Sequence, residues 1–528
     1  MTGRRAATLA AVLLGFLTLP MLISGTTVAL PLIAADLNAS GAALQWVVVG
    51  YFLAAASTML VAGSLGDVFG RRRIFAAGAV VYTAGALGSA VAGDVLTLDA
   101  ARTLSGIGAA GVMSCGGAVL GATFAGPGRT RAFAAMGTTA GVGLAAGPTL
   151  SGWLVGAFGW RSTFALFAAL GLLILGGAAF MAESRAAERP RVDVAGALTF
   201  MAALTLTMYG ANQASGAGWG GARVLLPLAG GAAMLAAFVL VERRSSHPVL
   251  DLGLLRDRRF VAWTLAGLAV AAGPAGVTAY LPTYLQGAGG VSVRDAGFTM
   301  LMLTAPVLLM PQAGGLLINK GVPPRALVTV GLLTLAAGNG WLAVLHPGIG
   351  VAGLLGPLAT IGSGMGLLLG IIDAQAVNQA GQDRVGMAIG LLNTVRAGGG
   401  TLATTLFGTA LATVVHARTD EPGRAARIVA GHLTGPDRVV EAGLLTGAWQ
   451  VTLVITAGFG VVAAVTVWAL LAPNHRRPPH MTRRHAGVLG SRDVTTCAGD
   501  GDGGGDQFGA GAAIASTCVL GPSWARRR

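Results

Sequence analysis

Long apolar runs alternate with short polar segments from the start of the chain to about residue 471. An α-helix needs about 20 apolar residues to cross a lipid bilayer, and the runs have about this length. The predicted spans lie near residues 8–32, 44–65, 74–93, 97–121, 132–155, 161–181, 194–213, 224–241, 260–284, 296–317, 326–345, 350–372, 386–415 and 446–471. The pattern predicts an all-α, polytopic membrane protein with fourteen spans.

The spans fall into groups of six, two and six along the chain. Residues 1–185 hold the first six spans, residues 186–259 hold an inserted pair with charged flanks, and residues 260–471 hold the last six. Residues 472–528 are rich in Gly, Arg, Pro, Ser and Thr and have little apolar periodicity. Such a segment buries too little apolar surface to fold, so we expect a disordered cytoplasmic tail.

Basic residues collect in alternate loops between the spans. Arg71–Arg73 and Arg129 lie in two such loops, whereas the intervening loops 33–43 and 94–96 contain no Lys or Arg. Loop 416–445 is the exception, since it carries several basic and several acidic residues. Short cytoplasmic loops are enriched in Lys and Arg, so the asymmetry predicts a multi-pass plasma-membrane protein with both termini in the cytoplasm.

Composition supports the membrane assignment and excludes several other classes. The chain is 54% hydrophobic and 11% charged, whereas soluble domains carry about 25% charged residues. The net charge is +14, but most of the arginines lie in short loops and in the tail, so we expect lipid contact and no nucleic-acid partner. We expect no metal site, no cofactor and no direct use of ATP, because neither metal-ligand spacing nor a phosphate-binding loop occurs.

A short stretch between the second and third spans combines glycines with charged residues. Gly63 and Gly70 allow a tight turn, and Arg71 and Arg72 favour the cytoplasmic side. Asp67 precedes Arg71 by four residues, which suits an ion pair if the segment is helical. A hairpin loop that only sets the topology is the alternative reading.

An arginine, Arg102, lies inside the fourth span, about one turn from its outer end. A charge in a membrane helix costs at least about 2.5 kcal/mol unless it is paired or hydrated. Asp99, three residues earlier, is the nearest possible partner. We expect Arg102 to be buried, and the alternative is a side chain that reaches back to the interface.

The fifth span contains small residues and a proline at helical spacing. Gly143 and Gly147 are one turn apart and permit close helix packing, and Gly152 extends the same pattern. Pro148 removes a backbone hydrogen bond and is expected to kink the helix. An ordinary packing seam is the alternative to a conformational hinge.

These segments together resemble signatures of the major facilitator superfamily. The stretch from Gly63 to Arg72 resembles the loop 2–3 signature G-x-L-x-D-x-x-G-R-[RK], and the resemblance implies a gating role for Asp67. The residues around Arg102 resemble a fourth-span motif, which implies a role in proton transfer. The fifth-span segment is similar to the G-x-x-x-G-P-x-x-G-G signature of drug:proton antiporters, with Ser151 in place of one glycine.

The inserted pair of spans resembles the fourteen-span branch, often called the EmrB/QacA type. The span near 386–415 adds a second point of resemblance and contains Arg396 near its middle. An unpaired arginine is costly there, and Asp373 near the inner end of the preceding span is a candidate partner. The resemblance covers about residues 8–471.

The first span departs from the pattern of this branch. Counting back nine residues from Pro31 gives Leu22, where the branch has an aspartate. The usual proton carrier of the first span is therefore missing. Proton coupling then depends on other carboxylates, and Asp99 and Asp373 are the candidates.

Aromatic residues supply possible contacts for a flat, apolar ligand. The ones that could line a cavity are Trp46, Tyr51, Phe52, Trp153, Trp263, Tyr280 and Tyr284. Aromatic residues near span ends also form the interfacial belt, so we expect only one or two of these to line a site.

The resemblance implies a monomeric, proton-coupled antiporter that exports hydrophobic or cationic drug-like molecules by alternating access and uses the proton gradient. A dedicated exporter of one endogenous metabolite, such as an antibiotic, is the first alternative. A membrane enzyme acting on lipid-linked substrates is a third reading. It needs a cluster of acid, base or metal-binding groups, which the sequence does not show.

Overall fold

The computed structural model is all-helical throughout the residues that it describes. Those residues are 3–39, 41–185, 193–217, 220–245, 248–380, 384–419, 422–433 and 437–472. The predicted tail, 472–528, lies outside them except for its first residue. The residues up to Ala472 form one compact unit, and the predicted boundaries near 185 and 259 stay predictions.

Six long helices form the first half of the bundle. They are α1 (Gly3–Asp36), α2 (Gly41–Phe69), α3 (Arg71–Ala90), α4 (Val95–Thr123), α5 (Gly126–Phe158) and α6 (Trp160–Ala178). Gly70 and Gly159 separate neighbouring helices with φ of 112° and 78°, a region that favours glycine. Asp94 caps α4 by accepting a hydrogen bond of 2.9 Å from the Thr97 amide.

The inserted pair consists of α7 (Val194–Ala217) and α8 (Ala222–Arg244), and a short 3₁₀ turn, Leu254–Arg256, follows it. The second half continues with α9 (Arg258–Ala272), α10 (Ala275–Gly287), α11 (Val293–Asn319), α12 (Pro324–Leu342), α13 (Val351–Leu368), α14 (Ile371–Ala380), α15 (Val385–His416), α16 (Pro422–Val429) and α17 (Arg438–Leu470).

Twelve helical segments in the described part of the chain are long and apolar enough to cross a membrane. The helices α5 and α12 lie within the same bundle and coincide with two further predicted spans. The order of helices therefore agrees with the predicted groups of six, two and six.

Three boundaries differ from the sequence-based prediction. The predicted span 260–284 is broken between α9 and α10, where Gly273 and Pro274 interrupt the helix. The predicted span 350–372 ends early, because Gly370 with φ of 82° separates α13 from α14. The predicted outer loop 416–445 contains α16 and the first two turns of α17.

Two pairs of helices form the most extensive contacts between the two halves. Helix α2 packs against α15, and α5 packs against α11. The inserted α7 contacts α8, α2 and α15, so it lies beside the α2–α15 interface. We call the α2–α15 and α5–α11 interfaces the first and second joints. We call the end of the bundle that holds Arg71–Arg73, Arg129 and Arg384 the arginine-rich face, and the other end the opposite face.

Candidate functional site

A large apolar cavity lies between the halves. Its volume is about 1020 Å³, and α2, α7, α9, α10, α11 and α15 supply most of its wall. Helices α10 and α11 line it with residues from the parts nearer the opposite face. The wall includes Phe52, Met208, Asn212, Val270, Pro274, Phe298, Leu301, Thr304, Met365, Arg396 and Thr401.

A smaller cavity of about 270 Å³ adjoins the large one. Phe52, Arg396 and Ala397 line both cavities. Asp373 and Asn393 line only the smaller one. The charged groups therefore lie where the two cavities meet, and the rest of the walls is mostly apolar.

The predicted pairing of Arg396 with Asp373 is confirmed. The Arg396 Nη1 atom donates to both carboxylate oxygens of Asp373 at 2.8 and 3.0 Å. Asp373 lies in the first turn of α14, directly after the break at Gly370. The Nε and Nη2 atoms of Arg396 are buried and have no hydrogen-bond partner among the described residues.

The predicted ion pair of Asp67 with Arg71 is also confirmed, although α2 ends at Phe69 and α3 begins only at Arg71. The Arg71 Nε and Nη2 atoms lie 2.9 and 2.8 Å from Asp67 Oδ1. Asp67 also accepts hydrogen bonds from the amides of Gly386 at 3.0 Å and Met387 at 2.9 Å. The carboxylate therefore joins α2 to the N-terminus of α15, where amide donors and the helix dipole favour negative charge.

Glycines bring the backbones of α2 and α15 into close contact beside Asp67. A Cβ atom on Gly63 would collide with the carbonyl oxygen of Gly386, and one on Gly386 would collide with that of Gly63. Gly70 is constrained twice, by its positive φ and by the Glu183 carboxyl group, whose carbon would lie 2.6 Å from an added Cβ.

Further contacts beside this joint were not predicted from the sequence. The backbone amide of Arg72 donates to Glu183 at 3.1 Å. This contact does not involve the Arg72 side chain. Arg384 forms an ion pair with Asp251 of the segment that follows α8. Ser64 donates to the carbonyl of Val249 in that segment at 3.1 Å. The H-P-V-L-D-L segment around Asp251 was visible in the sequence, but its partners are far away along the chain.

The fifth helix uses its glycines to pack against α1. A Cβ atom on Gly143 would collide with the Leu17 carbonyl oxygen, and the Gly147 carbonyl lies close to Gly25. Gly152 lies less tightly, because an added Cβ would be 3.7 Å from Val28. Helix α5 is continuous through Pro148, whose side chain lies outside the described residues, so the expected kink stays a prediction.

Arg102 is buried as predicted, but its predicted partner is wrong. Its Nε atom donates to the Val47 carbonyl at 2.9 Å, and its guanidinium carbon lies 4.5 Å from the ring centre of Tyr51. No ion pair with Asp99 forms, and Asp99 Oδ1 has no hydrogen-bond partner in the described structure. A carbonyl of α2 and aromatic faces therefore hold the charge, and sequence spacing does not reveal either.

Leu22 is fully buried, and Thr26 donates to its carbonyl at 2.6 Å.

Of the seven aromatic residues predicted as possible wall residues, Phe52 lines both cavities and Tyr51 lines the smaller one. Trp263 and Tyr284 are buried in the core, and Trp153 is 63% exposed on the surface. Met208 and Asn212 of the inserted α7 were not predicted, because periodicity does not show which inserted residues face a cavity.

A helical bundle in two halves, joined tightly at one face and enclosing an apolar cavity, defines a secondary membrane transporter rather than an enzyme. The model of the Major Facilitator Superfamily matches residues 12–404. The chain belongs to this superfamily, and the all-α transporter fold is confirmed.

Several curated relatives are similar over most of the chain. The probable actinorhodin transporter of Streptomyces coelicolor is 34% identical over 74% of this chain and 69% of that protein. The cephamycin export protein of Amycolatopsis lactamdurans is 35% identical over 71% and 78%. The puromycin resistance protein of Streptomyces alboniger is 31% identical over 85% and 88%.

A solved structure is similar in fold. The human organic anion transporter MFSD10 superposes with a TM-score of 0.58 and 15% identity, over 88% of this chain and all of that one. At this identity the likeness shows the fold alone.

Proposed function

We propose that this protein exports drug-like small molecules from the cytoplasm in exchange for protons. The observation that carries the proposal is the apolar cavity of about 1020 Å³ between the halves, bordered by the Arg396–Asp373 pair. The cavity is large enough for a drug-sized molecule and has few polar groups, as such sites usually do. The export and resistance functions in the names of the relatives support the direction of transport.

Alternating access requires two closures that exchange. The contacts of Asp67 with the Gly386 and Met387 amides join α2 to α15 near the arginine-rich face, which supports one of these closures. Binding of substrate and binding of a proton shift this equilibrium only if each has a different affinity for the two states. The proton gradient then supplies the energy, and its electrical part is worth about 2.3 kcal/mol per 100 mV for each charge.

Asp373 is the proposed proton carrier. It is 3% exposed and borders the smaller cavity, and its protonation would remove the charge that holds Arg396. Loss of that ion pair would change the wall between the two cavities. Asp99 is the second proposed carrier, because its carboxyl group is partly buried and one of its oxygens has no partner among the described residues.

Proton flux in reconstituted vesicles tests this proposal. Purified protein in proteoliposomes should move protons when an uncharged aromatic fluorophore is supplied across an imposed pH gradient. Asp373→Asn should abolish the coupled flux, and Asp36→Asn, at the exposed end of α1, should leave it unchanged. If both Asp373→Asn and Asp99→Asn transport protons normally, neither residue is the carrier. Transport without proton movement would refute coupling but not export.

The proposed orientation places the arginine-rich face and both termini in the cytoplasm of a plasma-membrane monomer. A cysteine at position 72, in a variant with Cys497 and Cys518 replaced by serine, should resist membrane-impermeant thiol reagents in whole cells. It should react once the membrane is permeabilised. Reaction in intact cells would contradict the proposed topology and place the arginine-rich face outside the cell.

A dedicated exporter of one endogenous metabolite is the second candidate function. The names of the actinorhodin and cephamycin relatives favour it, since each refers to a single product. A panel of structurally unrelated substrates distinguishes the two. Export of one chemical scaffold only would support the dedicated function, and export of several would support multidrug efflux.

A further inference from the structure

The charges around the large cavity have one sign. Among the described residues that line it, Arg396 is the only charged one, and no Asp or Glu is present. The nearest carboxylate, Asp373, lines only the smaller cavity and is 3% exposed. The other polar wall residues are threonines and Asn212.

Both oxygens of Asp373 already accept hydrogen bonds from Arg396 Nη1. The carboxylate is therefore engaged by a cation of the protein and is not free to neutralise a cation of a ligand. The other two donors of Arg396, Nε and Nη2, are buried and lack partners in the described structure, so no carboxylate of the protein neutralises them. Asn393, beside it on the smaller cavity, has an Nδ2 group that also lacks one.

We propose that the cavity selects uncharged or acidic aromatic molecules and rejects organic cations. The inference rests on the proposed export function in one respect: it takes the large cavity to be the substrate site. A cation in this cavity would lose its hydration and meet a guanidinium group without an available carboxylate. A carboxylate, sulfonate or phenolate would meet the positive guanidinium group of Arg396 at the cavity wall, in a region of low dielectric constant.

The membrane potential acts in the same direction. An exported anion leaves a cell interior that is negative, so its outward movement gains about 2.3 kcal/mol per 100 mV for each charge. A cation would have to move against the same field. The cavity charge and the potential therefore both favour export of acids over export of bases. Of the hydrophobic and cationic substrates expected from the sequence, the inference keeps the uncharged ones, adds acids and excludes cations.

Two dyes with one ring system and opposite charge test the inference. Fluorescein is an anion at neutral pH, and tetramethylrhodamine methyl ester is a cation on the same xanthene core. Fluorescence anisotropy titrations with the purified full chain in lipid nanodiscs measure the affinity for each dye. The parent protein should bind fluorescein at least about tenfold more tightly, as expected for one charge at close range in a low-dielectric site.

Four variants separate a charge effect from a loss of structure. Arg396→Gln should reverse the preference, because it leaves Asp373 uncompensated. Asp373→Asn should increase the preference for fluorescein, because it leaves Arg396 uncompensated. The double variant Asp373→Asn/Arg396→Gln should bind the two dyes about equally. Arg161→Gln, which removes a charge outside the cavity, should keep the parent preference and serves as the matched control.

The outcomes are distinct. A structural defect in Arg396→Gln would weaken both dyes together, whereas the proposed selection changes their ratio in opposite directions for the two single variants. Tighter binding of the rhodamine ester to the parent protein, or a ratio unaffected by Arg396→Gln, would overturn the inference, as would failure to bind either dye. Selective fluorescein binding without its export in proteoliposomes would overturn the proposed function and leave the selectivity intact.

Discussion

Three arginines lie within or at the ends of membrane spans, Arg71 and Arg102 buried and Arg396 partly buried, and their contacts differ. Arg71 pairs with Asp67, which also binds two amides of α15. Arg396 pairs with Asp373 through one nitrogen. Arg102 instead donates to a carbonyl and lies against the aromatic ring of Tyr51. A buried charge needs such compensation, so removal of a partner is expensive at each site.

Removal of the Asp67 carboxylate should destabilise the protein. Asp67→Ala leaves Arg71, which is 1% exposed, without this anion and leaves two amides of α15 without an acceptor. We expect a loss of about 3 kcal/mol, the usual range when one member of a buried pair is removed, and a lower melting temperature in detergent.

Arg73→Gln is the matched control for Asp67→Ala. Arg73 is 74% exposed, and its Nε atom lies 3.7 Å from Glu183. Such surface pairs contribute little to stability. If the two variants melted alike, Asp67 would not hold the closed face together.

Asp36, beyond the apolar span of α1, should make stability depend on acid pH. Hydrogen bonds from Arg161 at 2.6 Å and Trp160 at 3.1 Å lower the pKa of this carboxyl below its ordinary value of 3.8. Its contribution is complete above that value and is lost as the pH falls through the lowered pKa. Asp36→Asn should remove this part of the acid dependence of the melting temperature, and an unchanged acid profile would contradict it.

At the scale of helices, close backbone contacts determine which faces meet. Gly63 and Gly386 allow α2 to touch α15, and Gly143 allows α5 to touch α1. In lipid the hydrophobic effect does not drive helices together, so small residues and packing decide these contacts. The inserted α7 joins the bundle in another way, by placing Met208 in an apolar cluster with Leu53 of α2.

A side chain at position 143 should separate α5 from α1. Gly143→Val would drive its Cβ into the Leu17 carbonyl, and overpacking of this kind typically costs about 1–3 kcal/mol. Gly156→Val on the same helix meets open space and is the matched control. Size-exclusion recovery and dye export should both fall for the first variant only. Normal export by Gly143→Val would show that the seam tolerates a wider spacing.

The inserted α7 should influence substrate choice. Met208→Ala shortens a wall side chain and so enlarges the cavity. Asn212→Leu replaces a polar wall residue with an apolar one. Both should change the ratio of transport rates between two substrates of different size or polarity. Leu226→Ala on α8, which is 72% exposed, should leave the ratio unchanged. Equal ratios in all three variants would make the inserted pair a passive addition to the bundle.

At the scale of the whole molecule, the structure shows one arrangement of the two halves, and the proposed alternating access requires a second one. The halves are joined near the arginine-rich face by α2 with α15 and by α5 with α11. On the second joint, Gln312 donates to Thr138 at 3.4 Å, and Gly141 lies against Val307. The cavity lies between these joints and the opposite face.

A covalent link across the second joint should stop transport. Thr138→Cys and Gln312→Cys, joined by a short bis-methanethiosulfonate reagent, should hold α5 against α11. Export should be abolished and should return after reduction with dithiothreitol. Each single cysteine variant treated with the reagent is the control. Continued export by the linked protein would show that this joint does not open.

Several features of the site were predictable because they are local. Asp67 and Arg71 are four residues apart, and Asp373 lies near the inner end of the span that precedes that of Arg396, so both were predicted as possible pairs. Asp99 and Arg102 are equally close in sequence but do not pair, because the side chain of Arg102 reaches the Val47 carbonyl of another helix instead. Spacing identifies possible partners, and competition among partners from other helices is a tertiary matter.

The sequence alone determined that the protein spans a membrane many times, the order of its helices and its family, because apolar length and short motifs are local properties that do not depend on packing. Only the tertiary structure decided that two amides of α15 donate hydrogen bonds to Asp67, that α7 lines the cavity and that the cavity wall carries Arg396 without an acidic residue. Those facts depend on which helix faces meet. In lipid this is decided by steric fit and hydrogen bonding between distant segments, which no local pattern encodes.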